Sequence, residues 1–270
     1  MTKSAYALIT GGGSGIGLEF AKLLLPQYNL VLVGRDIEKL KKAKQNLLNQ
    51  NVADLSRDIL ILSCDLYETG ASKNIFEICR EKSIDIRVLV NNAGCGLFGH
   101  HELLAETEII NMINLNITTL TLLCKYFGEE MKLKKSGYIL NIASLAAYQP
   151  VPYIAAYAAS KSYVLHFSEA LSKELEDYGV TVTCLSPGHT DTNFFEQAGI
   201  GNDKEGFYGL NTRISPKEVA KIGINALFSK RISVIPGIKN YLLANINRFS
   251  TRAMTANISK QLTKQELNKK

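Results

Sequence analysis

The stretch Thr10-Gly11-Gly12-Gly13-Ser14-Gly15-Ile16-Gly17 joins a short apolar segment, Ala5 to Thr10, to a helical pattern, Ile16 to Leu25, that stops at Pro26. Glycines at such a junction let the backbone turn tightly and approach a ligand. The helix start adds unpaired N–H groups and a partial positive charge. The stretch therefore reads as a cradle for a pyrophosphate. Its spacing departs from GxGxxG and fits TGxxxGxG. It is not a P-loop, because Leu18 follows Gly17 where that loop needs a lysine.

Along the rest of the chain, strand-like and helix-like segments alternate. Strands are expected at Leu30 to Val33, Ile59 to Ser63, Val88 to Val90, Tyr138 to Ala143, Val180 to Leu185 and Ile232 to Ile235. Helices are expected at Ile37 to Asn49, through the seventies, at Leu103 to Lys134, at Tyr153 to Tyr178 with a stop at Gly179, and at Pro216 to Ser229. Continuous apolar strands alternating with helices predict a doubly wound parallel sheet of Rossmann type, with helices on both faces. The 270 residues, 46% of them apolar, suit a single α/β domain. Its expected extent is residues 1–238, followed by a basic C-terminal extension, 239–270.

The charge supports that division. Lys239 to Lys270 holds seven Lys/Arg against one acid, Glu266, so the whole net charge of +6 lies there. The five cysteines are odd in number and include no CxxC pair, which argues against a disulfide framework and against zinc; no metal is expected. Neither a secretory signal nor a bilayer-length apolar run is evident, so a cytoplasmic setting is expected. A basic excess confined to one end, with no recognised binding fold, argues against nucleic acid.

Two further features carry chemistry. Tyr157-Ala158-Ala159-Ser160-Lys161 sets a phenol and an ammonium on one helix face, thirteen residues after Ser144. An ammonium favours the phenolate and eases proton exchange. After the second strand, Val33-Gly34-Arg35-Asp36 leaves the place of a ribose-binding acid to Gly34, and Arg35 can fork onto a 2′-phosphate. Asp36 can pair with Arg35 or cap the next helix. The pattern favours NADP(H) over NAD(H).

TGxxxGxG at Thr10 to Gly17, Asn-Asn-Ala-Gly at Asn91 to Gly94, Asn114-Leu115-Asn116, Ser144, YxxxK at Tyr157 to Lys161, and Pro187-Gly188 followed by Thr192 together resemble the short-chain dehydrogenase/reductase family. The resemblance covers about Ala5 to Pro236. It implies Tyr157 as the general acid and Lys161 as the residue that lowers its pKa and holds the nicotinamide ribose. It implies Ser144 as donor to the substrate oxygen and Asn116 as support for a water. The dinucleotide would meet Gly11, Gly13, Ser14, Gly15, Ile16 and Gly17, then Arg35, Asp65 and Leu66. Asn92, Ala93, Gly94, Pro187, Gly188, Thr190 and Thr192 would complete the site beside Tyr157 and Lys161. The implied activity interconverts a carbonyl compound and a secondary alcohol in a homodimer or homotetramer built on the two long helices. The alternative is a non-catalytic NADP(H)-binding scaffold or redox sensor of the same fold.

Aromatics in Asp191 to Asn211 (Phe194, Phe195, Phe207, Tyr208), with Leu97-Phe98 and Tyr148 to Tyr153, are expected to border an apolar, closable pocket for a hydrophobic or lipid-like carbonyl substrate. They could equally pack on the body or a neighbouring subunit. In the extension, Leu242, Ile246, Phe249, Ala253, Ile258 and Leu262 recur at helical steps among basic residues. Such helices could dock on a partner subunit, cover the active site or lie on an anionic membrane.

Overall fold

The run Leu30 to Val33 keeps no side chain in water and forms the heart of β2 (Asn29–Gly34). Val, Ile and Leu in such runs fit a pleat covered on both faces. In the computed structural model, which describes residues 5–49, 57–191, 194, 198, 213–246 and 250–267, the other strands are β1 (Ala5–Thr10), β3 (Ile59–Ser63), β4 (Asp85–Asn91), β5 (Gly137–Ile142), β6 (Val180–Leu185) and β7 (Ser233–Val234). Every pairing is parallel, in the order β3-β2-β1-β4-β5-β6-β7. The chain winds outward through β2 and β3, then returns to set β4 on the other side of β1. Ligands of such sheets bind beyond the carboxyl ends at that reversal.

Helices α1 (Gly15–Leu24), α2 (Ile37–Asn49) and α7 (Pro216–Phe228) contribute to one face. Phe20, Leu40, Val219 and Leu227 fill that core. The opposite core joins α3 (Ala71–Glu81), α5 (Leu120–Leu133) and α6 (Ala155–Leu175) through Ile75, Phe127 and Val164. Phe127 meets Phe76 edge-on at 5.3 Å. Fully burying side chains of this size stabilises by about 1.5–3 kcal/mol each. At the start of α7, Ser215 Oγ accepts from the Glu218 N–H at 3.2 Å, with Pro216 in the first helical position.

The expected helix from Leu103 to Lys134 is not continuous. A 3₁₀ turn at His101–Leu103 precedes α4 (Glu106–Ile113), and a π-helical stretch at Asn114–Thr119 separates α4 from α5. The cause is tertiary: Asn116 leaves the helical pattern to make long-range bonds, described below. Helix α6 begins at Ala155 rather than Tyr153, because Tyr153 is held left-handed at φ +68°. Its carbonyl accepts from the Gly99 N–H at 2.8 Å, and His100 packs edge-on to its ring.

The extension forms α8 (Ile238–Ile246) and α9 (Arg252–Leu267). Leu242, Ile246 and Ile258 face solvent, Ala253 is exposed and Leu262 is half-buried, while Asn240, Ala244, Thr255, Ser259 and Thr263 face inward. Phe249 lies outside the described residues. Among the described residues no helix is long and apolar enough to cross a membrane.

Candidate active site

The glycine turn is drawn tight by its neighbours. Gly11 sits at φ +66°, and a Cβ there would lie 2.8 Å from Asn92 Nδ2. A Cβ on Gly17 would strike the Gly11 carbonyl oxygen and stand 2.7 Å from the same Nδ2. Thr10 ties the turn to β4: its Oγ1 accepts from the Asn92 and Ala93 N–H groups at 3.0 Å each. Asn92 Nδ2 donates to the Thr10 carbonyl at 3.0 Å. Asn92 thus braces the turn from behind. Ser14, at the N-cap of α1, makes no side-chain bond to the first turn. The N–H groups of that turn are left without a side-chain cap, which suits an anionic pyrophosphate.

At the end of β2, Asp36 Oδ1 accepts from the Glu38 and Lys39 N–H groups at 3.0 Å each, and these bonds hold its carboxyl below the usual carboxylate range. Of its two expected roles, Asp36 takes that of helix cap. Arg35 projects into solvent above the Tyr67 ring, 5.2 Å from its centroid, with its Nη1 a long 3.9 Å from Asp65 Oδ2. That loose, exposed pair leaves the guanidinium free to turn toward a phosphate. Asp65 Oδ1 caps its own loop by accepting from the Tyr67 N–H at 3.1 Å, and the neighbouring Leu66 is buried in the core.

The catalytic candidates gather beyond β4 and β5. Ser144 follows β5 with extended backbone, and its Oγ accepts from the Ala146 N–H at 3.1 Å. Tyr157 stands on the first turn of α6 beside Ser144, and its ring packs against Phe194 at 5.5 Å. One turn on, Lys161 is buried; its Nζ donates to the Ile142 carbonyl at 2.9 Å and stands 5.9 Å from the Tyr157 ring centroid. A Cβ on Gly94 would lie 3.2 Å from that Nζ and 3.3 Å from Asn116 Oδ1, so these groups converge on one spot.

Asn116 clasps the loop after β4. Its Oδ1 accepts from the Cys95 N–H at 3.1 Å, and its Nδ2 donates to the Cys95 carbonyl at 2.9 Å. The same Nδ2 lies 3.0 Å from Ser160 Oγ, which in turn donates to the Tyr157 carbonyl at 2.7 Å. These bonds are what the π-helical stretch accommodates; such stretches are frequent at functional sites. A second polar line registers α6 on the sheet: Asn91 donates to Asn141 at 2.9 Å, and Asn141 to Ser168 at 3.0 Å.

Burial sets the protonation states. It pushes the Tyr157 phenol up to about 12, with the Ser144 hydrogen bond pulling partly back. It pulls Lys161 down from 10.5 to about 8. Desolvation is the largest influence on the phenol, and the Lys161 ammonium, 5.9 Å from the ring centroid, is engaged by the Ile142 carbonyl. A neutral phenol is the form that can donate a proton.

Pro187 accepts from the Leu145 N–H at 2.8 Å, joining the loop after β6 to the turn after Ser144. Gly188 abuts Asn240 of α8. Thr190 donates to the Gly188 carbonyl at 3.2 Å and pairs by backbone with Ile214. Thr192, Phe195, Phe207 and Tyr208 lie outside the described residues. All five cysteines are free thiols, and among the described residues no three His, Cys, Asp or Glu side chains form a group able to hold a metal. Three contributors escaped sequence reasoning: Thr10, Ser160 and Asn240. Thr10 and Ser160 lie inside quoted motifs, which was their signal; Asn240 had none.

A family model described as short chain dehydrogenase matches residues 5–202. The chain is 33% identical over 187 residues to 17-beta-hydroxysteroid dehydrogenase type 3 of Mus musculus, covering 67% of this chain and 59% of that protein. It thus spans less than two thirds of the length of that relative. It is 30% identical to a 3-oxoacyl-(acyl-carrier-protein) reductase of Chlamydia trachomatis, with 81% and 88% covered. The structure is similar to a short-chain dehydrogenase from Sphingobium yanoikuyae in complex with NADPH, at a TM-score of 0.79 and 25% identity, covering 93% of this chain and 94% of that one.

Proposed function

Because the chain belongs to the short-chain dehydrogenase/reductase family, we propose that it is an NADP(H)-dependent oxidoreductase that reduces a hydrophobic ketone or aldehyde to an alcohol. The observation that carries this reading is the half-buried Tyr157 phenol beside Ser144, one turn from buried Lys161. A nicotinamide dinucleotide, when bound, supplies the hydride. The uncapped start of α1 and the glycine turn would hold its pyrophosphate, Arg35 a 2′-phosphate, and Lys161 the ribose.

The protein's own part is proton delivery and orientation. A carbonyl oxygen gaining negative charge needs a donor, and the neutral Tyr157 phenol would give its proton there. Ser144 donates a second hydrogen bond to the same oxygen and stabilises the developing charge. Lys161, bonded to Ile142 and set against the Asn116 clasp, is placed to return a proton toward the phenol after each turnover. The expectation of an apolar substrate is supported by the surroundings. Phe98, Val151, Ile154, Ala158 and Ala198 form one buried cluster, against which Tyr153 and Tyr157 pack. The names of two relatives, a 17-beta-hydroxysteroid dehydrogenase and a 3-oxoacyl-(acyl-carrier-protein) reductase, point the same way.

The test is NADPH oxidation with a panel of bulky apolar and small charged ketones. Turnover of the apolar set is expected, and Tyr157→Phe should lower it by ~10²–10⁴-fold while still binding NADPH. Binding of NADPH without turnover of any carbonyl would favour the scaffold reading. Activity confined to small charged ketones would refute the substrate class.

A further inference from the structure

The two C-terminal helices wear their side chains inside out. On α8, Ile238, Tyr241, Leu242 and Ile246 follow the spacing of one helix face and are exposed, Leu242 at 61% and Ile246 at 62%. Its inward residues are Asn240 and Ala244. On α9, Met254 and Ile258 are exposed, while Thr255, Ser259 and Thr263, four apart, are buried. Helices that only cover a core turn large apolar residues inward and small polar ones outward. Here small residues take the inward positions, and the large apolar ones are left to another phase.

Charge identifies that phase. The net charge of +6 lies entirely between Lys239 and Lys270, and the rest of the chain is formally neutral. Lys239, Arg252, Lys260 and Lys264 are exposed around the apolar side chains. A second copy of the chain is a poor occupant, since two such ends would bring like charges together. We propose that the outward faces of α8 and α9 dock on the surface of a membrane that carries anionic lipid. Large apolar side chains enter the headgroup boundary while lysines and arginines meet the negative surface. The placement suits the site: α8 packs on the Leu145–Tyr148 turn that follows Ser144, and Asn240 abuts Gly188. Docking there sets one wall of the cleft beside the bilayer, where an apolar carbonyl compound is concentrated.

The experiment sediments the full chain, with NADPH and without substrate, on vesicles of phosphatidylcholine alone or mixed with phosphatidylserine. The readout is pelleting, so it stands or falls separately from the proposed reaction. Wild-type protein should pellet with the phosphatidylserine vesicles, less with phosphatidylcholine alone, and less as salt rises past about 0.15 M. Lys260→Gln with Lys264→Gln should weaken binding to the anionic vesicles about 25-fold, at about fivefold per basic residue. Leu242→Ser with Ile246→Ser, both at exposed positions, should weaken it roughly tenfold or more at an unchanged melting temperature. No pelleting on anionic vesicles, or equal pelleting of all variants, would overturn the proposal. So would a Leu242→Ser/Ile246→Ser chain that elutes as a smaller species than wild type while pelleting equally, because that assigns the face to a second copy.

Discussion

Replacing Lys161 with methionine removes a buried charge and keeps the length of the side chain. Lys161 is 4% exposed, and burial lowers its pKa from 10.5 to about 8. That drop corresponds to roughly 3 kcal/mol of penalty for carrying the charge in the folded protein at pH 7. Methionine also loses the bond to the Ile142 carbonyl, and a buried acceptor without its donor costs about 1–3 kcal/mol. The balance is a variant as stable as wild type, or up to ~2 kcal/mol more stable at pH 7, yet inactive. The pH dependence gives the sharper test. A lysine whose folded pKa is depressed weakens the fold fully below the folded value, and the penalty fades as pH rises toward 10.5. The stability difference, methionine variant minus wild type, should therefore shrink by roughly 2 kcal/mol between pH 8 and pH 10. The buried thiols and Tyr157, whose pKa values are raised, act oppositely above pH 9, but they are common to both chains and largely cancel in the difference. Urea denaturation of the cofactor-free chains at a series of pH values measures it. A difference that does not change with pH would refute the claim that Lys161 pays a desolvation penalty.

Arg35→Ala should raise the KM for NADPH by about 10- to 100-fold with little effect on NADH, as expected for losing a charge-assisted bond to a phosphate. Stability should hardly change, since the contact with Asp65 is long and exposed; equal effects on both cofactors in steady-state kinetics would refute the assignment. Gly17→Ala should destabilise the fold by about 1–3 kcal/mol and abolish NADPH binding, because the added methyl meets the Gly11 carbonyl. Fluorescence titration showing wild-type affinity would sink the cradle reading.

The sheet was legible because each strand is a short apolar run bounded by turn residues, and the boundaries predicted at Ile59 and Ser63 are those observed. The helix from Ile37 to Asn49 was legible for the same reason, with its charge on the solvent side. The break after Ile113 was not. Nothing local in Asn114-Leu115-Asn116 demands a π-helical stretch; the demand comes from the Cys95 backbone and Ser160, distant in sequence. The unfavourable propensity of asparagine within a helix was the one hint. Motifs disclosed which side chains meet at the site, yet not how far each is buried, because degree of burial is a property of the assembled core. The extension was legible only in part. Its periodicity was real, but period alone does not tell which face turns inward.

The contact between Gly188 and Asn240 has a consequence for how the molecule can be handled. A Cβ at position 188 would stand 2.5 Å from Asn240 Nδ2, so the amide lies directly on bare backbone. That Nδ2 is tied to the Pro236 carbonyl at 2.8 Å, at the root of α8. Helix α8 is therefore not an appendage that can be trimmed away. It forms a buttress behind the β6 loop, and a chain cut at residue 238 would leave that loop with an open flank.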